Sequence, residues 1–126
     1  MSNPVPWNDI PPDQQADALA EKLGWHKEER DYTWLPVGPV RGTLWVDDNG
    51  ESMVLVDQFK PQTDLNSMGL VIEAMAKRDW ERQLFHYPSG HVKATFYKGF
   101  LYRAFATDHN EPAAVAKAAW KALGGE

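Results

Sequence analysis

Two alternating stretches near the C-terminus put cations and aromatic rings where they can share a surface. In HVKATFY (91–97), His91, Lys93, Thr95 and Tyr97 fall opposite Val92, Ala94 and Phe96, because successive strand side chains point to opposite faces. In LYRAFAT (101–107), Arg103 and Phe105 fall opposite Ala104 and Ala106. If the alanines face a closing helix, Arg103 and Lys93 lie among Tyr97, Phe105 and His91. Cations interleaved with rings can hold a phosphate and stack a base, which is what a nucleotide-binding surface requires. The competing reading is a solvated sheet face with scattered charge, or one covered by the first helix. A second surface is Tyr32 and Trp34, with Leu35 and Pro36, on what reads as an irregular proline-bearing loop. Large aromatics on a rigid loop suit a protein interface, and packing over a sheet edge explains them as well.

Bond-making chemistry has less to stand on. The four histidines, His26, His86, His91 and His109, are too scattered for a helical metal motif. His86 and His91 flank the Pro88–Gly90 turn, where two surface histidines are the plainer reading. Asp47, Asp48, Glu51 and Asp57 gather in one hairpin, but Asp-Asp-Asn-Gly is better explained by turn chemistry. A small hydrolase is the alternative function, and it needs Asp57 or Glu73 to converge with His86 or His91. There is no dinucleotide glycine fingerprint, phosphate loop or nucleophile elbow, and no cysteine. No cofactor or metal is expected, and the reading leans away from an enzyme.

Bulk composition narrows the partners. The chain has 126 residues and a net charge of −5, enough length for one core without disulfides. The charge is uneven, about −7 over residues 1–64 and +2 over residues 65–126. That balance argues against a duplex-binding protein with many phosphate contacts and leaves room for a small basic site in the C-terminal half. No stretch approaches the roughly 20 apolar residues that span a bilayer. The N-terminus, MSNPVPWNDIPP, lacks the basic and apolar regions of a signal peptide. Six tryptophans suggest a large core with some to spare for a binding face.

The elements that must position these residues follow from periodicity. Residues 1–12 read as a proline-rich extended arm, pinned by Trp7 or Ile10, before a domain over 13–126. A helix is expected from Pro12 to Leu23, closed by Gly24 with Trp25 folding back. HKEERD (26–31) reads as a charged loop, and GTLWVDDNGESMVLVD (42–57) as a β-hairpin. Thr63–Trp80 carries the longest amphipathic helix signal, capped by Asp64 or, one residue earlier, by Thr63, with Leu65, Met68, Val71, Ile72 and Met75 on one stripe. Gly69 within it suggests close approach of a neighbour. Strands are expected at 80–87, 91–97 and 101–107. A last helix starts near Asn110 and ends at Gly124, with Lys117 and Lys121 facing water. The order α-β-β-α-β-β-β-α predicts an α+β fold, a single mainly antiparallel sheet of about five strands packed against three helices.

TDLNSMGLVIEAM (63–75), the strand pair around TFYKGFLYRAFAT (95–107) and AAVAKAAWKAL (113–123) resemble the phage ABA sandwich domain family. LAEKLGW (19–25) and Trp34-Leu35-Pro36 are similar to it as well. The family name implies a sheet between helical layers. The resemblance implies a small phage-encoded accessory protein in the host cell cytoplasm, acting by binding and in keeping with counter-defence. The partner would be a host protein or a small, sequestered nucleotide-like ligand. A homo-oligomeric assembly protein is the plain remaining reading, since exposed strand edges invite self-association.

Overall fold

The computed structural model describes residues 5–34, 38–100 and 102–124, with backbone alone for Tyr32, Thr33, Trp34, Pro39 and Ser52. In chain order the elements are α1 (Pro12–Lys22), β1 (His26–Trp34), β2 (Gly38–Val46), β3 (Ser52–Leu55), α2 (Leu65–Ala76), β4 (Glu81–His86), β5 (Val92–Lys98), β6 (Tyr102–Asp108) and α3 (Glu111–Ala122). The strands form two separate three-stranded antiparallel sheets, β1-β2-β3 and β4-β5-β6. The expected single sheet of about five strands is therefore wrong, and the order is α-β-β-β-α-β-β-β-α. Short β3 runs into a 3-10 turn at Val56–Gln58, and α2 follows before β4 begins. Periodicity finds strands but does not say which edges pair, and here β3 and β4 do not.

The added strand is β1, where a charged loop and an aromatic loop were expected. Its residues HKEERD alternate charge with charge, so no apolar face announces a strand. Pairing supplies the reason instead: Asp31 lies opposite Arg41, whose guanidinium reaches Asp31 at 3.3 Å and Glu29 at 3.5 Å. Cross-strand pairs of opposite charge favour this register. Pro39 sits opposite Thr33 in the half of β2 that β3 does not reach, where a proline is tolerated.

The helix caps follow the sequence, but α2 stops at Ala76, short of the expected Trp80. Gly24 takes φ +87°, its amide bonds Glu21 O, and the Trp25 amide returns to Ala20 O at 3.0 Å. Asp64 caps α2, its Oδ2 accepting from the Ser67 amide at 3.0 Å and the Ser67 hydroxyl at 2.9 Å. The Ser67 hydroxyl, then its amide, hold the Asp64 carboxyl below its ordinary value of 3.8. This cap therefore stabilises the fold above that value and is lost as pH falls through the lowered one. These bonds also bury Ser67, whose Oγ accepts from the Lys60 amide at 3.0 Å. The buried face of α2 is consequently Ser67, Val71, Ala74 and Met75, rotated from the expected stripe, and Leu65 stands exposed. Leu70, on the polar side of the helix, is half-buried against the core. A Cβ built on Gly69 would meet nothing within 4 Å, so no close neighbour explains that glycine.

One core joins both sheets and all three helices: Trp25, Trp45, Phe59, Val71, Met75, Val92, Phe96, Val115 and Trp120 belong to it. At its centre lies α3, capped by Asn110 Oδ1 accepting from the Ala113 amide at 2.8 Å. It packs on β5 and β6 on one side and on α2 and α1 on the other. The N-terminal arm is held to it, with Trp7 5.9 Å from the Trp120 ring and Trp120 Nε1 donating to Val5 O at 2.7 Å.

Ala116 is fully buried, so Ala116→Leu should lower unfolding free energy by about 1–3 kcal/mol through overpacking. Gly69→Ala, at an open helix-interior position, should raise it by about 0.5–1 kcal/mol. Denaturant titration of both variants checks the pair of signs.

Candidate functional site

The register of the C-terminal sheet decides which side chains share its faces. Val92, Ala94 and Phe96 of β5 point inward with their partners Ala106 and Ala104 of β6, under the alanine-rich side of α3. Small residues on both surfaces let the helix axis come close, which is why α3 covers this face. The opposite face runs in rows: Glu81–Tyr97–Arg103, then Gln83–Thr95–Phe105, then Phe85–Lys93–Thr107. Among the described residues no helix packs on it. Phe85 is 54% exposed and Phe105 51% exposed, values unusual for phenylalanine in a covered sheet.

Four of the five residues expected at a ligand site, Lys93, Tyr97, Arg103 and Phe105, stand on this face. His91 lies at its end, exposed in the hairpin turn, with Nδ1 3.2 Å from Ser89 Oγ. Lys93 Nζ sits 4.6 Å from the centre of the Phe105 ring, and Lys121 Nζ lies 6.0 Å from the same ring. Two cations thus flank one exposed aromatic. Lys121, expected to face water alone, reaches Phe105 from α3. A shallow trough of about 280 Å³ is lined by Gln83, Phe85, Tyr87, Lys93 and Thr95. Phe85 and Tyr87 pack edge-to-face at 4.9 Å beside it.

Gln83, Phe85 and Tyr87 were absent from the expected site. The alternation of WERQLFHY places all three on one side, but only the pairing with β5 shows that it is the same side as Lys93. At the far row Tyr97 lies opposite Glu81. Hydrogen bonding to that carboxylate, then its charge and burial, push the phenol above its ordinary 10.0, against an opposing pull from Arg103.

The other candidates resolve differently. Tyr32 and Trp34 belong to strand β1, opposite Val40 and Gly38, rather than to an irregular loop. Their side chains, and all of Leu35 and Pro36, lie outside the described residues. Asp47 is buried, and its Oδ1 accepts from the amides of Asn49 at 3.0 Å and Glu51 at 2.8 Å, so this acid builds the turn. Among the described residues no group of three or more histidine or acidic side chains is placed to hold a metal ion.

Among the described residues, histidine–carboxylate ion pairs join His86 to Glu111 at 2.6 Å, His109 to Asp108 at 2.5 Å, and His26 to Glu28. Each histidine is more than half exposed, and none of the acids is Asp57 or Glu73. Glu73 pairs with Lys77 instead, at 3.9 Å. No described helix is long and apolar enough to cross a membrane. No protein-family model, curated protein or solved structure matches the chain.

Glu81→Gln should return the Tyr97 phenol toward its ordinary value. The neutral phenol is the form the carboxylate favours, so the contribution is full below pH 10.0 and is lost as pH rises through the raised value. Phenolate absorbance during alkaline titration reports the shift; an unchanged Tyr97 titration in the variant would refute the assignment.

Proposed function

We propose that this chain is a non-catalytic binding protein whose recognition surface is the open face of β4–β6, and that its ligand has nucleotide chemistry. The observation that carries this is the exposed Phe105 ring flanked by the Lys93 and Lys121 ammonium groups on a face no described helix covers. A flat ring offers stacking to a base, and the ammonium groups offer charge to a phosphate. Arg103 adds a fork of donors in the neighbouring row. The side chains of Tyr32 and Trp34 lie outside the described residues, so the proposal is built on the open face of β4–β6. The resemblance of residues 63–75, 95–107 and 113–123 to small phage proteins extends the proposal: an accessory protein of the infected cell that sequesters a nucleotide-like molecule.

Isothermal calorimetry against cyclic and ADP-ribose-type nucleotides should give measurable heat with the wild-type chain. Phe105→Ala should weaken the binding by about 1–3 kcal/mol, the range for losing one stacked base. Lys93→Gln should weaken it as well, with unchanged circular dichroism in both variants. Silence across the panel, or heats indifferent to both substitutions, would remove the reading.

A further inference from the structure

The exposed rings on the open face do not converge on one point. Phe85 and Tyr87 stand at the β4 side, while Phe105 stands on β6, with Lys93 and Thr95 of β5 between them. Neighbouring strands lie about 4.8 Å apart and two residues advance about 7 Å along a strand. Phe85 and Phe105 are two strands apart and one face row out of step, so they lie on the order of 12 Å from each other. One base cannot cover both. Successive bases of one extended strand can.

The shape of the surface leads the same way. Pockets for small ligands enclose most of their guest, in about 300–1,000 Å³. This trough offers about 280 Å³ and has a sheet for its floor. A mononucleotide there keeps much of its surface in water, whereas a polymer gains contact by running across the rows.

Charge is distributed accordingly. On this face Lys93 and Arg103, joined by Lys121 reaching from α3, stand against Glu81, a local balance of +2 in a chain of −5. Lys93 and Lys121 lie beside a stacking ring, where a backbone phosphate between stacked bases would pass. Glu81, the acid on this face, lies in the end row opposite Tyr97, away from Lys93 and the Phe85 row. In a duplex the bases are stacked on one another and closed to such rings, so the platform suits unpaired strands.

We infer that the open face of β4–β6 binds single-stranded nucleic acid across its strands, with Phe105 and the Phe85/Tyr87 pair as separate stacking stations and Lys93, Lys121 and Arg103 meeting phosphates. This rests on the reading of the face as a nucleotide site and specifies a polymer as its occupant.

Fluorescence anisotropy with labelled oligo-dT and oligo-U of about ten nucleotides, a length within the site sizes of single-strand-binding folds, tests it. The oligonucleotide should bind at least about tenfold more tightly than a mononucleotide, since a second stacking station is engaged. Its log–log salt slope should be about −2 for three cations, and Lys93→Gln should reduce that slope by about 0.7. Phe85→Ala and Phe105→Ala should each weaken the oligonucleotide about fivefold or more, while a duplex of equal length binds less well than the single strand. An oligonucleotide that binds no better than a mononucleotide overturns the polymer inference and leaves the nucleotide site standing. If neither binds, both fall. Binding unaffected by natively folded Phe85→Ala and Phe105→Ala variants also overturns it.

Discussion

Close approach of α3 to the C-terminal sheet is the constraint from which most of this architecture follows. Ala113, Ala114, Ala116, Ala118 and Ala119 are buried, and the facing strands contribute Ala94 and Ala106. Contact between such short side chains requires the helix backbone to lie near the strands, and it leaves little freedom in the docking angle. A helix buried on nearly every side must also be covered on its far side, which is what α1, α2 and the N-terminal arm do. The Trp120 indole closes this arrangement by packing against Trp7 and donating to Val5 O, while Lys22 Nζ rests 4.6 Å from its ring.

Committing all three helices to the interior face has a consequence for the exterior one. The outward side of β4–β6 has no helical partner among the described residues, so its aromatics meet solvent. Exposed rings on a sheet are an aggregation hazard as well as a binding resource. Lys93 and Lys121 over Phe105, Arg103 in the next row, and Glu81 opposite Tyr97 temper that hazard by placing charge among the rings. The same charges set this face apart from a purely apolar one. A purely apolar face would have been open to any hydrophobe.

How far this was legible in the residues depends on the range of the interaction involved. Caps and turns are local, and Asp64, Asn110, Gly24 and the Asp47–Glu51 turn sit where their chemistry places them. The alternation of 91–97 and 101–107 is likewise local, so Lys93 with Tyr97, and Arg103 with Phe105, each share a side of their own strand, and the β5–β6 register then joins the two sides. Strand pairing is not local. Neither the separation of the two sheets nor the contribution of Gln83, Phe85 and Tyr87 can be read without the register to β5. Strand β1 escaped for a different reason: Glu29, Asp31 and Arg41 stabilise it through cross-strand charge, which a hydrophobic pattern does not register. Ser67 shows the converse, a polar residue whose burial depends on hydrogen bonds from Lys60 and to Asp64.

Two pairs of titratable groups stand in different settings. Catalytic acids and bases are tuned by burial and by neighbours, and an exposed pair gains little of that tuning. Here His86–Glu111 ties the edge strand β4 to the first turn of α3, and Glu111 there also suits the positive end of the helix. Its work is structural. The Tyr97–Glu81 pair has the opposite setting, on the open face in the row of Arg103. An anion settling near Arg103 would weaken the pull that now opposes the rise in the phenol's pKa.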